Sequence, residues 1–327
     1  MKKFVIVLIT IYVLLMTLLF IYFKPFMPGD SSIVSMKPKR TADKVNKKVI
    51  KFVAPLIDSA VWLKAKEGFD AASKEYGFYG VWAGADDHSA NKMLSELEAA
   101  IDEKVDGIVL CPFSPPAFTS ALERAEAAGI PVIALAVDTE EKRQRAAFIG
   151  TDSEECGRLQ AEALYEKVGD NMRIGVMMTN LDSMNQVIQV NVLKKFISRL
   201  NNSKILSIEE ERGDYFTAME VLNRMMDSNP DINCIFCTEG PGLPGIANLI
   251  AKRGLQDRLT VIGMDTTAPN LDAIREGTIY GVMSQDFYSM GFLGGKYAFM
   301  KTRGETIPEI TYTKTELVTK QNLDKYQ

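Results

Sequence analysis

Histidine is nearly missing from this chain: His88 stands alone among 327 residues. That scarcity excludes a multi-histidine zinc centre and any base relay that needs a second imidazole. Cysteine is sparse too. Cys111, Cys156, Cys234 and Cys237 show no regular spacing that would build a disulfide framework. Cys234 and Cys237 form C-x-x-C, but inside an apolar, strand-like run where residues three apart point to opposite faces. They read as buried thiols rather than a redox or zinc pair. The net charge is only −4, so no strongly basic domain points to nucleic acid as a partner. P-loop, H-E-x-x-H and G-x-S-x-G patterns are absent. His88 adjoins Asp86 and Asp87 in "GADDHSANK", yet consecutive residues do not converge on one ion, and such loops favour Asp and Ser as helix caps. No metal is expected.

What is present begins with the N-terminus. "FVIVLITIYVLLMTLLFIYF", residues 4–23, contains no charge. About twenty apolar residues rising ~1.5 Å each span a hydrocarbon core of ~30 Å. The run is too long for a cleavable signal, no A-x-A site follows it, and the first cysteine, at 111, is too distant for a lipoprotein anchor. Residues 1–24 therefore read as an uncleaved single-pass anchor. Residues 25–48 read as a basic linker, with Pro25, Pro28, Gly29, Ser31 and Ser32 marking its start and Lys37, Lys39, Arg40, Lys44, Lys47 and Lys48 its charge. Taken alone, the excess of Lys and Arg after the span would place the large domain in the cytoplasm.

From residue 49 onward, short apolar runs alternate with helical patterns. Strand-like runs fall at 49–55, 78–84, 107–112 and 130–137, then at 173–179, 204–209, 232–238, 259–265 and 280–285, with a last strand near 311–319. Helical patterns lie near 61–76, 90–103, 117–128, 184–200, 215–228, 245–254 and 286–302. Continuous apolar strands belong to sheets covered on both faces, and alternation with helices implies parallel β-α-β units. Two such series predict an α/β chain with two doubly wound parallel lobes. With 327 residues and 46% apolar content, both lobes can carry real cores. Ligands bind such sheets beyond the carboxyl ends of the strands.

One strand end carries a literal G-x-G-x-x-G, "GPGLPG" at 240–245, with Asp265 twenty residues further on. A dinucleotide site needs backbone N–H groups aimed at pyrophosphate. Pro241 and Pro244 lack that donor, and the motif sits late in the second series rather than opening the first. A tight strand-to-helix turn is the preferred reading, and no cofactor is expected. An NAD-dependent oxidoreductase stays as an alternative.

Six stretches in order carry a family likeness: "WLKAKEGFDAASKEYG", "KVDGIVLCPFSPPAFTSALERAEAAGIPVIAL", "AFIGTDSEECGRLQAEAL", "NPDINCIFCTEGPGLPGIANLI", "VIGMDTTAPNLDAIREGTIYGVMSQD" and "GFLGGKYAF". Over residues 49–321 the chain resembles periplasmic sugar-binding proteins of the ribose- and galactose-binding type, whose fold is shared by the sensing cores of lac-repressor-type regulators. The resemblance implies a multi-crossing hinge, with an N-lobe of 49–151 plus 286–314 and a C-lobe of 152–285 plus 315–327. It implies a small polar ligand, a monosaccharide by class, held by Ser59, Trp62, Asp138, Glu239, Asp265 and Gln285. A sugar offers C–H faces to an aromatic and hydroxyls to carboxylates and amides; Trp62 also admits a plain core role.

Two departures stand out. An Asp-Arg pair usual after the fourth strand is replaced by Ala136 and Val137, with Asp138 the one nearby carboxylate; and a second-lobe arginine is missing, with Asn185, Gln186 or Gln189 as substitutes. Loss of two bidentate donors puts ordinary hexose or ribose specificity in doubt. The family places the large domain outside the cytoplasm, against the charge count, as a cell-membrane receptor that performs no chemistry. A sensor histidine kinase is the expected partner, with the permease of a sugar ABC transporter as the alternative. A cytoplasmic regulator would need a DNA-binding helix-turn-helix where this chain is hydrophobic.

Overall fold

The computed structural model describes residues 47–326 apart from His88. The expected anchor at 4–23 lies outside the described residues, as does nearly all of the linker. Among the described residues no helix is long and apolar enough to cross a membrane.

The chain opens with β1 (Val49–Ala54), α1 (Ala60–Tyr76), β2 (Tyr79–Gly84), α2 (Ala90–Asp102), β3 (Gly107–Leu110), α3 (Pro115–Ala127), β4 (Val132–Leu135) and β5 (Ala147–Gly150). It continues with α4 (Ser153–Val168), β6 (Arg173–Met178), α5 (Met184–Ile197), β7 (Lys204–Glu210), α6 (Tyr215–Ser228), β8 (Cys234–Cys237) and α7 (Leu243–Arg253). The last elements are β9 (Thr260–Met264), α8 (Ala268–Glu276), β10 (Gly281–Met283), α9 (Phe287–Thr302), β11 (Ile310–Tyr312) and β12 (Leu317–Thr319). Two six-stranded sheets result, ordered β11-β5-β4-β3-β1-β2 and β12-β10-β9-β8-β6-β7. The order is the same in both lobes, strand for strand.

Burial explains the run composition. β3, β4, β5 and β8 are buried throughout, whereas the edge strands β2 and β7 are largely half-exposed. Cys234 packs with Ile174 and Val176 on one face of its sheet, and Cys237 with Met177 and Leu243 on the other. Burial pushes the Cys234 thiol up to about 12 and the Cys237 thiol well above its ordinary value, so both are inert.

The expected last strand near 311–319 is two strands in different sheets. The chain leaves β11 at the cleft, crosses, and enters the second lobe from its cleft side. It must then run away from the cleft, so β12 pairs antiparallel with β10, while β11 pairs parallel with β5. The alternation reading also contains no strand at 147–150 and no helices at 153–168 and 268–276. The helix at 268–276 is shorter than the window in which a 3.6-residue period becomes visible, and the helix at 153–168 buries a mostly small or polar face of Cys156, Gly157, Gln160, Ala161, Ala163 and Leu164.

Three segments cross between the lobes, following β5, β10 and β11. They are stitched together where they pass: Thr313 N–H donates to Gly150 O at 2.8 Å, Thr315 Oγ1 to Ser284 O at 2.7 Å, and Glu316 N–H to Ser284 Oγ at 3.0 Å. The third element of rigidity is α9, which returns to the first lobe and lies backbone to backbone on α1. A Cβ at Gly291 would stand 1.8 Å from Ala65 O, and one at Gly68 2.0 Å from Tyr288 O. Overpacking costs about 1–3 kcal/mol even where side chains can yield. Here the obstacle is backbone. Gly291→Ala is expected to lower stability by about 3 kcal/mol or more, measured by chemical denaturation.

Candidate ligand-binding site

Because both sheets aim their strands' carboxyl ends at the gap between them, the loops after those strands enclose a cavity of about 320 Å³. Its two walls differ in kind. The first lobe contributes Leu56, Val61, Trp62, Phe113 and Val137, with Phe287 from the start of α9. The second contributes Asn180, Asn185, Arg212, Glu239, Asp265 and the hinge residue Gln285. One wall is hydrocarbon and the other hydrogen-bonding.

The polar wall is pre-arranged. Asn185 Nδ2 donates to Glu239 Oε1 at 3.2 Å, and Gln285 Nε2 donates to Asp265 Oδ1 at 2.7 Å. Gln285 Oε1 in turn accepts from Thr151 Oγ1 at 2.8 Å, so one amide ties the aspartate to two of the crossing segments. Burial, joined by the negative charge of Asp265, pushes the Glu239 carboxyl above the usual range; burial also raises Asp265, opposed by the Gln285 bond. Glu211, behind the same wall, is buried and pushed up to about 7.

Backbone strain collects here as well. Five non-glycine described residues have positive φ: Leu56, Lys104, Ala136, Arg212 and Asp265. All except Lys104 line the cavity. They follow β1, β4, β7 and β9. Left-handed backbone at such residues costs about 1–3 kcal/mol each and persists where surroundings hold it. For Asp265, φ is 70°, and the Asn270 amide secures it by donating to the carbonyls of Asp265 and Met264 at 3.0 and 3.2 Å.

Residues 50–306 match the periplasmic binding protein domain. The chain belongs to the periplasmic binding protein family. It is 20% identical to the ribose import binding protein RbsB of Bacillus subtilis, over 81% of this chain and 85% of that protein. It is 21% identical to the xylose/arabinose-binding protein XylF of Sulfolobus acidocaldarius, covering 75% of this chain and 64% of that longer protein. The solved glucose-galactose binding protein GanP of Geobacillus stearothermophilus shares the fold at a TM-score of 0.81 and 24% identity, covering 85% of this chain and 99% of that one. XylFII in its complex with LytSN does so at 0.77 and 23%, covering 84% and 98%.

Within this periplasmic binding protein, Trp62, Glu239, Asp265 and Gln285 meet at the cavity. Trp62 is only 6% exposed, and its ring packs edge-on against Phe52 and Phe287, so it is part of the core and part of the wall at once. Asn185 and Gln186, two of the substitutes for the missing arginine, also reach the cavity; Gln186 accepts from the N–H of Thr179 at 3.0 Å and from Thr238 Oγ1 at 2.8 Å. Gln189 is buried and stands off the wall.

Two of the expected contacts do not line the cavity in this structure. Asp138 does not line the cavity, and its carboxylate pairs with Arg145. That guanidinium donates from Nε to Oδ1 and from Nη2 to Oδ2 at 2.8 Å, and its side chain is fully buried. Ser59 is off the wall too; it stands at the start of α1, and its buried Oγ has no hydrogen-bond partner among the described residues.

The glycine loop packs against acidic side chains. A Cβ at Gly242 would lie 2.3 Å from Glu211 Oε2, and one at Gly240 2.7 Å from Asp265 Oδ2. Acids crowd the face that pyrophosphate would need. The wall residues that sequence reasoning passed over include Leu56, Arg212 and Phe287. Arg212 had a usable signal, since the strand-end rule applies to β7 as to its neighbours.

Asp138→Ala would leave the buried Arg145 guanidinium with only the Glu309 carboxylate, 3.9 Å away, as counter-charge, and is expected to lower stability by about 3 kcal/mol in denaturant titration while leaving ligand affinity intact. The raised carboxyls also set a pH slope. A group whose folded value exceeds its unfolded value binds an extra proton in the folded state, so stability falls as pH rises through that window. For Glu211 the window runs from the ordinary 4.5 to about 7. The unliganded protein is expected to melt at lower temperature as pH rises across it, with a shallower slope in Glu211→Gln.

Proposed function

We propose that this chain is a membrane-tethered, extracytoplasmic solute receptor. It closes its two lobes on a small polar, sugar-like guest and presents the closed form to a membrane partner. The observation that carries this reading is the enclosed cavity at the hinge, lined from both lobes. A guest there contacts both walls together only when the lobes approach, so binding energy favours closure. Gln285 sits where that energy can be felt, bonded both to Asp265 and to the crossing segment at Thr151.

The relatives support the guest class: by name they bind ribose and xylose or arabinose. Tethering rests on the uncharged run at 4–23. A receptor fixed to the membrane by its own helix suits a stable assembly with a sensor histidine kinase, and the fold is shared with XylFII, which forms a complex with LytSN. Delivery to an ABC permease is the second reading, favoured by the likeness to a ribose import binding protein. The acid-lined glycine loop speaks against a dinucleotide enzyme.

The test is a thermal-shift screen of the full chain in mild detergent against monosaccharides and small polar metabolites. A true ligand at 100 times its dissociation constant adds about 2.7 kcal/mol. Asp265→Ala is expected to abolish that shift while the variant still melts cooperatively. A screen without any shift, or a domain shielded from protease on intact cells, would refute the receptor reading.

A further inference from the structure

The charge of the cavity is out of balance. Glu239 and Asp265 face into it, and the buried Glu211 stands behind the loop that carries Glu239. Among the described residues no Lys, Arg or His forms an ion pair with Glu239 or Asp265. Arg212 is the one cationic side chain on the wall; it is 77% exposed and reaches toward Glu210 at 3.5 Å. Neighbouring bonds to the two acids come from neutral amides, Asn185 and Gln285. Buried negative charge that lacks a counter-charge is costly, and is relieved either by taking up a proton or by a positive group that arrives with the guest. A metal ion is poorly suited, since no group of three His, Cys, Asp or Glu side chains among the described residues is placed to hold one.

The opposite wall narrows the choice further. Leu56, Val61, Trp62, Phe113, Val137 and Phe287 supply no hydrogen-bonding side chain beyond the Trp62 indole. A ring with hydroxyls on every edge would leave some of them unpaired against this surface, a loss of about 1–3 kcal/mol for each buried group. A guest with a hydrocarbon face would not suffer that loss. The volume of about 320 Å³ fits a molecule of one ring.

We propose that the guest is a small amphipathic amine: its ammonium group sits between Glu239 and Asp265, and its hydrocarbon face lies on the first-lobe wall. This rests on the receptor reading and sharpens it, since an amino-bearing sugar or ring alcohol is the chemistry the two walls share. Association follows without chemistry, as an ammonium donates up to three hydrogen bonds to carboxylates that accept them.

The experiment compares matched pairs by calorimetry on the full chain at neutral pH, where the amines are protonated: galactosamine with galactose, glucosamine with glucose, and 4-aminocyclohexanol with 1,4-cyclohexanediol. Each amine is expected to bind at least tenfold more tightly than its hydroxyl counterpart, with aminocyclohexanol showing the largest ratio. In Glu239→Gln that ratio is expected to fall towards one. The variant replaces a buried acid, whose carboxyl burial already raises, with a neutral amide of the same shape, so it should melt no lower than the parent, and melting curves verify that it is folded. Neutral sugars binding as tightly as the amines, or a preference that survives in Glu239→Gln, would overturn the amine while leaving a sugar receptor standing. Binding by neither class would overturn both.

Discussion

Strand direction is the constraint on which the rest of this protein depends. Parallel strands release their chain at one edge of the sheet, and both lobes turn that edge toward the same gap. The crossings after β5, β10 and β11 must therefore pass through the gap, beside the loops that line it. Hinge and binding wall are built from the same few residues. Gln285 shows the result: it belongs to a crossing segment, bonds to Thr151 on another, and holds the carboxylate of Asp265. Whatever loads Asp265 loads the hinge.

The same edge gathers strain. Leu56, Ala136, Arg212 and Asp265 each take left-handed backbone immediately beyond or near a strand end. Such residues turn the chain sharply, which lets a side chain or carbonyl face the cavity instead of continuing the sheet. Rigid neighbours make that tolerable, and Asn270 does so for Asp265. Elsewhere rigidity comes from helix backbones in direct contact, as at Gly291 and Ala65. Charge follows a different rule in the two lobes. In the first, the Asp138 carboxylate pairs with the buried Arg145. In the second, among the described residues, Glu239 and Asp265 have no ion-pair partner and are bonded by neutral amides.

Much of the fold was legible in the residues. Buried parallel strands read as short apolar runs, and the alternation of these runs with helices announced two doubly wound lobes. Three elements escaped: the strand at 147–150, the helix at 268–276, whose nine residues give periodicity little length, and the helix at 153–168, whose buried face is mostly small or polar. The split of the last strand also escaped, because nothing in "EITYTKTELVT" marks the point at which it changes sheets. Of the site, Glu239, Asp265 and Gln285 were visible as polar residues at strand ends. Asp138 met the same test, and its pairing with Arg145, seven residues on, had no local pattern to announce it.

What the sequence by itself determined is therefore local and periodic: strand, helix, the turn chemistry of a proline-bearing glycine loop, and the inertness of cysteines in apolar strands. These depend on neighbours a few residues apart, whose spacing sets the face they share. Tertiary structure alone decided which strand-end residues meet, which acid is neutralised and which is not, and that one wall of the cavity is hydrocarbon. Those outcomes depend on pairs such as Thr151 and Gln285, brought together across 134 positions of chain, where spacing carries no information about distance.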